Sequence, residues 1–261
     1  MSFIHEDPEF EALLRIVAEE RGISVALIEK DYWVAHTLWA LHQTGLEIWF
    51  KGGTSLSKGF GLIQRFSEDL DLSIEPGRAA GVPAVKSWTS TNKGPVAERR
   101  QFFAALETAM VVPHAQVALE AESLDKNARA ANYRVLYPGL FLTDLGPLRP
   151  FVLLEVGVAR VTPFVERRIS SFVHDRLERG GQLAGYDENR PAAVRCVHPT
   201  VTLLEKLDAI GRRYLREGVG RSNCVLAELA RYERAGRRRG RTAGSGFYVN
   251  CRADSAHAHS G

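Results

Sequence analysis

Phe50-Lys51-Gly52-Gly53-Thr54-Ser55-Leu56, followed closely by Ser67-Glu68-Asp69-Leu70-Asp71-Leu72, is the stretch that decides the fold. An apolar run ends in a Gly-Gly-Thr-Ser turn, and an Asp-x-Asp pair then sits inside a second apolar run. Residues i and i+2 of a strand share a face. Asp69 and Asp71 are therefore expected side by side, with Leu70 and Leu72 on the other face. Two anions on a half-buried strand repel, and burying them unpaired is costly. A divalent cation relieves both problems. The turn offers main-chain N–H groups and the hydroxyls of Thr54 and Ser55 at a helix start, which suits phosphate. Gly52 and Gly53 let a phosphate approach the backbone closely. A phosphate cradle beside a metal-binding carboxylate pair is the equipment for moving a nucleotidyl group. Oxygen-only ligation by Asp69 and Asp71 fits Mg²⁺, which completes its shell with water and phosphate.

Working outward, residues 47–50 read as a short strand, 54–60 as the helix opened by the turn, and 70–74 as the next strand, closed by Pro76-Gly77. Upstream, 6–21 carries an amphipathic stripe of Phe10, Leu13, Leu14 and Val17. Ser24 is placed to cap a second helix over 25–43, which Gly45 ends. Downstream, 81–95 lacks apolar periodicity and reads as a loop or lid. Residues 96–110 read as a helix, and 117–121 and 134–137 as strands. The near-continuous apolar run 150–158 predicts a central strand buried on both faces, in which Glu155 stands out. A late helix is predicted over 200–215, with Val201, Leu204, Leu207 and Ile210 on one face. Helix and strand are mixed, and the class is read as α+β, a mixed sheet flanked by helices.

Composition sets the bounds. With 261 residues, 45% hydrophobic and 25% charged, the chain suits one large domain or two small ones in water. The net charge of +3 supports no electrostatic claim from the total, but arginines crowd into 231–241. Cys196, Cys224 and Cys251 show no C-x-x-C spacing, which argues against a zinc site or disulfide framework and fits a reducing cytoplasm. Residues 1–10 lack the apolar core of a signal peptide, and no apolar run is long enough to span a membrane. A cytoplasmic protein is expected.

Other residues join the site by type and position. Lys51, Lys58 and Arg65 surround the turn. Each reads singly as a solvated charge, yet as a set they could offset a triphosphate, Arg65 bidentately. Glu155 reads either as an acid paired with an arginine such as Arg160, or as a third carboxylate that completes the metal cluster or deprotonates an attacking hydroxyl. Thr202, Glu205 and Lys206 lie on adjoining faces of the late helix. They form either a capped end with a solvated ion pair or, through Lys206, a triphosphate contact. His198 reads as structural.

The Gly-Gly-[Thr/Ser]…Asp-x-Asp pattern resembles the nucleotidyltransferase superfamily related to DNA polymerase β. A narrower resemblance is to the AbiEii/AbiGii toxin family. It rests on Ile28-Glu29-Lys30-Asp31-Tyr32-Trp33-Val34, Lys51-Gly52-Gly53-Thr54-Ser55-Leu56-Ser57-Lys58 and Arg65-Phe66-Ser67-Glu68-Asp69-Leu70-Asp71-Leu72. It rests also on Leu154-Glu155-Val156-Gly157 before Pro163-Phe164, and on Thr202-Leu203-Leu204-Glu205-Lys206-Leu207. The resemblance implies a bacterial toxin of a toxin–antitoxin or abortive-infection pair that uses an NTP and Mg²⁺ to add nucleotides to a target. For some relatives that target is the 3′ end of tRNA, and the partner is an antitoxin encoded nearby. By position, Gly53, Thr54 and Ser55 match the nucleotide-binding turn, Asp69 and Asp71 the metal pair, and Lys206 a lysine important in the family. The organisation it suggests is a nucleotidyltransferase domain with N-terminal helices over 1–165, a helical region over 166–218, and a basic, poorly ordered tail over 219–261.

The tail departs from the pattern. The family usually continues into a helix with a basic-aromatic-Asp segment, and that Asp is absent here. Arg221-Ser222-Asn223-Cys224 and an arginine- and glycine-rich run stand in its place. A basic tail that holds RNA and an out-of-frame continuation of the gene are both open at this point. Two rival functions accompany the main one: a small-molecule nucleotidyltransferase of the antibiotic-modifying kind, and a degenerate, non-catalytic binding protein.

Overall fold

The computed structural model describes residues 2–64, 67–146 and 148–217. Arg65 and the basic tail over 219–261 lie outside the described residues. Among those described, seven strands form one sheet: β1 (Glu47–Lys51), β2 (Asp69–Glu75), β3 (Gln116–Glu120), β4 (Ala130–Leu136), β5 (Val152–Gly157), β6 (Phe164–Arg167) and β7 (Val194–Val197). Their order is β3-β4-β5-β2-β1-β7-β6. β2 runs parallel to β5 and β1 parallel to β7, and the remaining neighbours are antiparallel. The helices are α1 (Phe10–Arg21), α2 (Val25–Gln43), α3 (Gly52–Thr54, continued by a π turn over Ser55–Gly59), α4 (Lys93–Ala109), α5 (Phe172–Arg179) and α6 (Pro199–Glu217). The class is α+β, as the sequence implied.

One face of the sheet carries the core. Phe50 pairs with Leu72, Leu70 with Leu154, Leu72 with Val156 and Tyr133 with Leu154. These residues are buried together with Phe10, Leu14 and Val17 of α1, Leu38 and Leu41 of α2, Phe102, Phe103 and Leu106 of α4, and Val173 of α5. Burial of this kind is the main favourable term in folding. The opposite face carries Lys51, Asp69, Asp71, Asn132 and Glu155, and a small apolar patch of Trp49, Val197 and Val201. β5 is buried at Val152, Leu153, Leu154 and Val156, as its near-continuous apolar run implies, and opens to solvent at Glu155.

α2 is buried nearly all round, so the polar groups it carries are costly to leave without partners. His36 bonds the Pro113 carbonyl at 3.1 Å, and the Tyr32 hydroxyl accepts from Asn189 Nδ2 at 2.9 Å. Ser24 occupies the N-cap position, but its side chain makes no capping bond. α1 starts at Phe10 rather than residue 6, with a separate turn over Ile4–Glu6 before it and Pro8 between. The loop before α4 is no loose lid. Arg99, fully buried, donates to the Ser87 carbonyl at 2.6 Å, to that of Ser90 at 2.9 Å and to that of Asn127 at 2.9 Å.

The chain divides into two compact units, Met1–Thr202 and Leu203–Gly261. Leu204 and Leu207 of α6 are exposed. No helix among the described residues is long and apolar enough to cross a membrane.

Candidate active site

Strand register assembles the site. Lys51 of β1, Asp71 of β2, Glu155 of β5 and Asn132 of β4 are mutual partners across four adjacent strands. Asp69 stands two residues before Asp71 on the same face. In-register neighbours on adjacent strands lie about 5 Å apart, so three carboxylates from two parallel strands share one patch. Leu70 and Leu72, fully buried, fix which way β2 faces.

The turn after β1 is fitted to this patch. Gly52 has φ +73°, and a Cβ there would lie 2.6 Å from Asp71 Oδ2 and 2.8 Å from Asp71 Cβ. Only glycine meets both conditions, since L residues rarely adopt that φ. We expect Gly52→Ala to cost about 1–3 kcal/mol of stability from backbone strain and to displace the Asp71 carboxylate. Thermal melting and turnover measured together check this. Unchanged turnover would show that the turn does not set the position of Asp71.

The hydroxyls of the turn point inward, away from the role foreseen for them. Thr54 Oγ1 donates to the Asp69 carbonyl at 2.6 Å, tying the turn to β2. Ser55 is buried against Cys196. The turn can meet a phosphate through main-chain N–H groups, the first of which have no partner within their own helix.

The carboxylates are matched by cations. Lys51 Nζ lies 2.8 Å from Asp71 Oδ1, and Arg149 Nη1 lies 3.0 Å from Asp69 Oδ1. Burial, then the charge of Glu68, pushes the Asp69 carboxyl above its usual range, against the pull of Arg149 and Lys30. Glu155 is also raised, first by burial and then by the charges of Asp69 and Asp71. Crowded, partly desolvated anions are a donor set that a hard divalent ion can satisfy. Among the described residues no three His, Cys, Asp or Glu side chains are grouped to hold a metal. Asp69 and Asp71 could hold such an ion as a pair, with phosphate and water oxygens supplying the rest.

Lys58 and His198 fall elsewhere. Lys58 turns away from the patch: its Nζ lies 2.5 Å from Asp31 Oδ1 and donates to the Ser170 carbonyl at 2.9 Å. His198 Nδ1 accepts the Thr200 N–H at 3.3 Å at the start of α6, a structural role. Lys206 lies on α6 in the unit from Leu203 onward. Sequence reasoning missed Arg149, Glu68 and Lys30. Arg149 could have been suspected from its place just before the most apolar strand. Lys30 could have been suspected from its place between Ala26-Leu27-Ile28 and Tyr32-Trp33-Val34, where a helix has no face left for water.

Comparisons with known proteins add the family. Residues 37–221 match the family described as Nucleotidyl transferase AbiEii toxin, Type IV TA system. Among solved structures, the chain is similar to MenT4, a nucleotidyltransferase toxin from Mycobacterium tuberculosis H37Rv. The identity is 22% and the TM-score 0.47, over 77% of this chain and 59% of that one. The chain thus spans well under two thirds of that toxin's length. No curated protein matches the chain.

Proposed function

The chain belongs to the AbiEii nucleotidyl transferase toxin family of type IV toxin–antitoxin systems, and on that premise we propose that it transfers the NMP part of an NTP to a hydroxyl of an RNA, the 3′ end of tRNA being the acceptor. The observation that carries this reading is the placement of Asp69, Asp71 and Glu155 on one exposed sheet face, directly against a turn that only Gly52 can form.

The roles follow from position and charge. Asp69 and Asp71 would hold Mg²⁺. When bound, Mg²⁺ neutralises triphosphate charge and makes an attacking hydroxyl more acidic. The 52–55 turn (Gly52, Gly53, Thr54, Ser55) holds the triphosphate through main-chain N–H groups. Glu155, facing Asp71 across the parallel strand pair, accepts the proton of the attacking hydroxyl. The hydroxyl oxygen bonds to the α-phosphorus as the bond to the β-phosphate oxygen breaks, and pyrophosphate leaves. Lys51 would offset phosphate charge, with Arg65 and Lys206 as further cations. A cognate antitoxin would be the protein partner.

Acceptor identity tests the proposal. Total tRNA, the four NTPs and Mg²⁺ are incubated with the protein, and the products are resolved at single-nucleotide length. Lengthening is expected at the 3′ end, and periodate oxidation of the terminal diol should abolish it. Equal labelling of oxidised tRNA, or transfer to an aminoglycoside in place of RNA, would refute the RNA 3′ end as acceptor.

Lys206 and Lys58 separate triphosphate binding from scaffolding. Lys206→Ala should raise the KM for NTP roughly ten- to a hundredfold, since a charge-assisted contact is worth roughly 1.5–3 kcal/mol. Lys58→Ala should act on stability, because its partners are Asp31 and Ser170. Equal, small changes in KM would count against a triphosphate role for Lys206.

A further inference from the structure

Glu29, Lys30 and Asp31 are three consecutive charged residues on α2, each at most 1% exposed. Burying one charge is costly, and burying three in a row demands partners. Each reaches a different segment. Glu29 accepts the N–H groups of Leu140 and Phe141 at 2.6 and 2.9 Å. Asp31 accepts the Phe172 N–H at 2.8 Å and pairs with Lys58. The Lys30 ammonium donates to the Glu68 carboxylate and to the Arg149 carbonyl. Glu68 in turn accepts the Arg149 N–H at 3.2 Å.

We infer that Lys30, acting through Glu68, is a positioning residue of the active site: it latches the segment that enters β2 at Asp69 to the segment around Arg149 that leads into β5. These are the segments whose side chains meet at 3.0 Å as Asp69 and Arg149. Both strands run the same way from the latch, so one point of attachment sets the register of Asp69 and Asp71 against Glu155. Lys30 itself reaches the site only through Glu68 and the Arg149 carbonyl. A charged latch is directional in a way an apolar contact is not, because its hydrogen bonds fix the main chain on both sides. The inference rests on the nucleotidyltransferase reading for what is being positioned, but the latch is testable apart from it.

The test uses the full chain with Mn²⁺ alone as probe, followed by electron paramagnetic resonance, together with hydrogen exchange. The variants are Lys30→Met, Glu68→Gln, both together, and Asp69→Asn. Lys30→Met and Glu68→Gln should each weaken Mn²⁺ binding about tenfold, as loss of an orienting partner typically does. The double variant should bind no more weakly than the worse single one, because both remove one device. Amides over 67–71 and 149–153 should exchange faster in both, with those of α4 unchanged. If Lys30→Met does not fold, Glu68→Gln decides, since the Glu68 side chain is 16% exposed and neutral substitution there leaves packing intact. Wild-type Mn²⁺ affinity and exchange in Glu68→Gln, or fully additive losses in the double variant, would overturn the latch. Wild-type affinity in Asp69→Asn would instead overturn the metal assignment, and exchange at the two segments would then judge the latch alone.

Discussion

Asp69→Asn and Asp71→Asn are each expected to lower nucleotide transfer at least about a thousandfold, or ~4 kcal/mol of transition-state stabilisation, while the protein stays folded. The two carboxylates share one face of β2 and face Glu155 across a parallel pair. Asparagine keeps the shape and hydrogen-bonding reach of aspartate but removes the charge that a divalent cation needs. The fold does not depend on that charge. The Asp69–Arg149 pair has side chains 35% and 47% exposed, and pairs of that kind contribute about 0–1 kcal/mol. Removing one of three crowded anions also relieves repulsion. Transfer of labelled nucleotide, with circular dichroism as the control, checks both parts. Near wild-type transfer by either variant would remove that residue from the chemistry.

Lys58→Met should have the largest effect on stability, about 3–5 kcal/mol, because it strands a buried anion. Asp31 has a side chain 2% exposed and Lys58 one 12% exposed, so neither can turn to water without opening the fold. The remaining Phe172 N–H does not neutralise the Asp31 carboxylate. Chemical denaturation should show a lower midpoint, and adding Asp31→Asn to Lys58→Met should restore a substantial part of the loss. Arg15→Ala, in a pair with side chains 60% and 53% exposed, gives the contrast and should change stability by about 1 kcal/mol or less. A Lys58 effect as small as that of Arg15 would mean the pair is solvated.

These two predictions differ in how far the sequence foretold them. Asp69 and Asp71 were legible because a period of two is a local property, and Leu70 and Leu72 declared the buried face. The Gly52 turn was legible as a turn, though not as a cavity shaped by Asp71, since that contact depends on the pairing of β1 with β2. Glu155 stood out as an acid in an apolar run, but its register with Asp71 is a long-range fact. Lys51 and Lys58 look alike in sequence, and only packing sends one to Asp71 and the other to Asp31. Lys30 can be suspected from sequence as a buried charge, but not tied to the site, because its partners lie far along the chain, at Glu68 and Arg149. β6 and β7 were missed for a similar reason. Four residues such as Val194-Arg195-Cys196-Val197 carry too little alternation to declare a strand until β1 offers an edge to pair with.

The most direct test of the central claim follows the fate of two phosphates. The protein is incubated with Mg²⁺, total RNA and each of the four NTPs, labelled in separate reactions at the α- or the γ-phosphate. Nucleotidyl transfer predicts that α-label from at least one NTP becomes covalently attached to RNA, that γ-label is released as pyrophosphate, and that Asp71→Asn loses both signals. Attachment of γ-label to the acceptor, or α-labelling of RNA that survives Asp71→Asn unchanged, would contradict it.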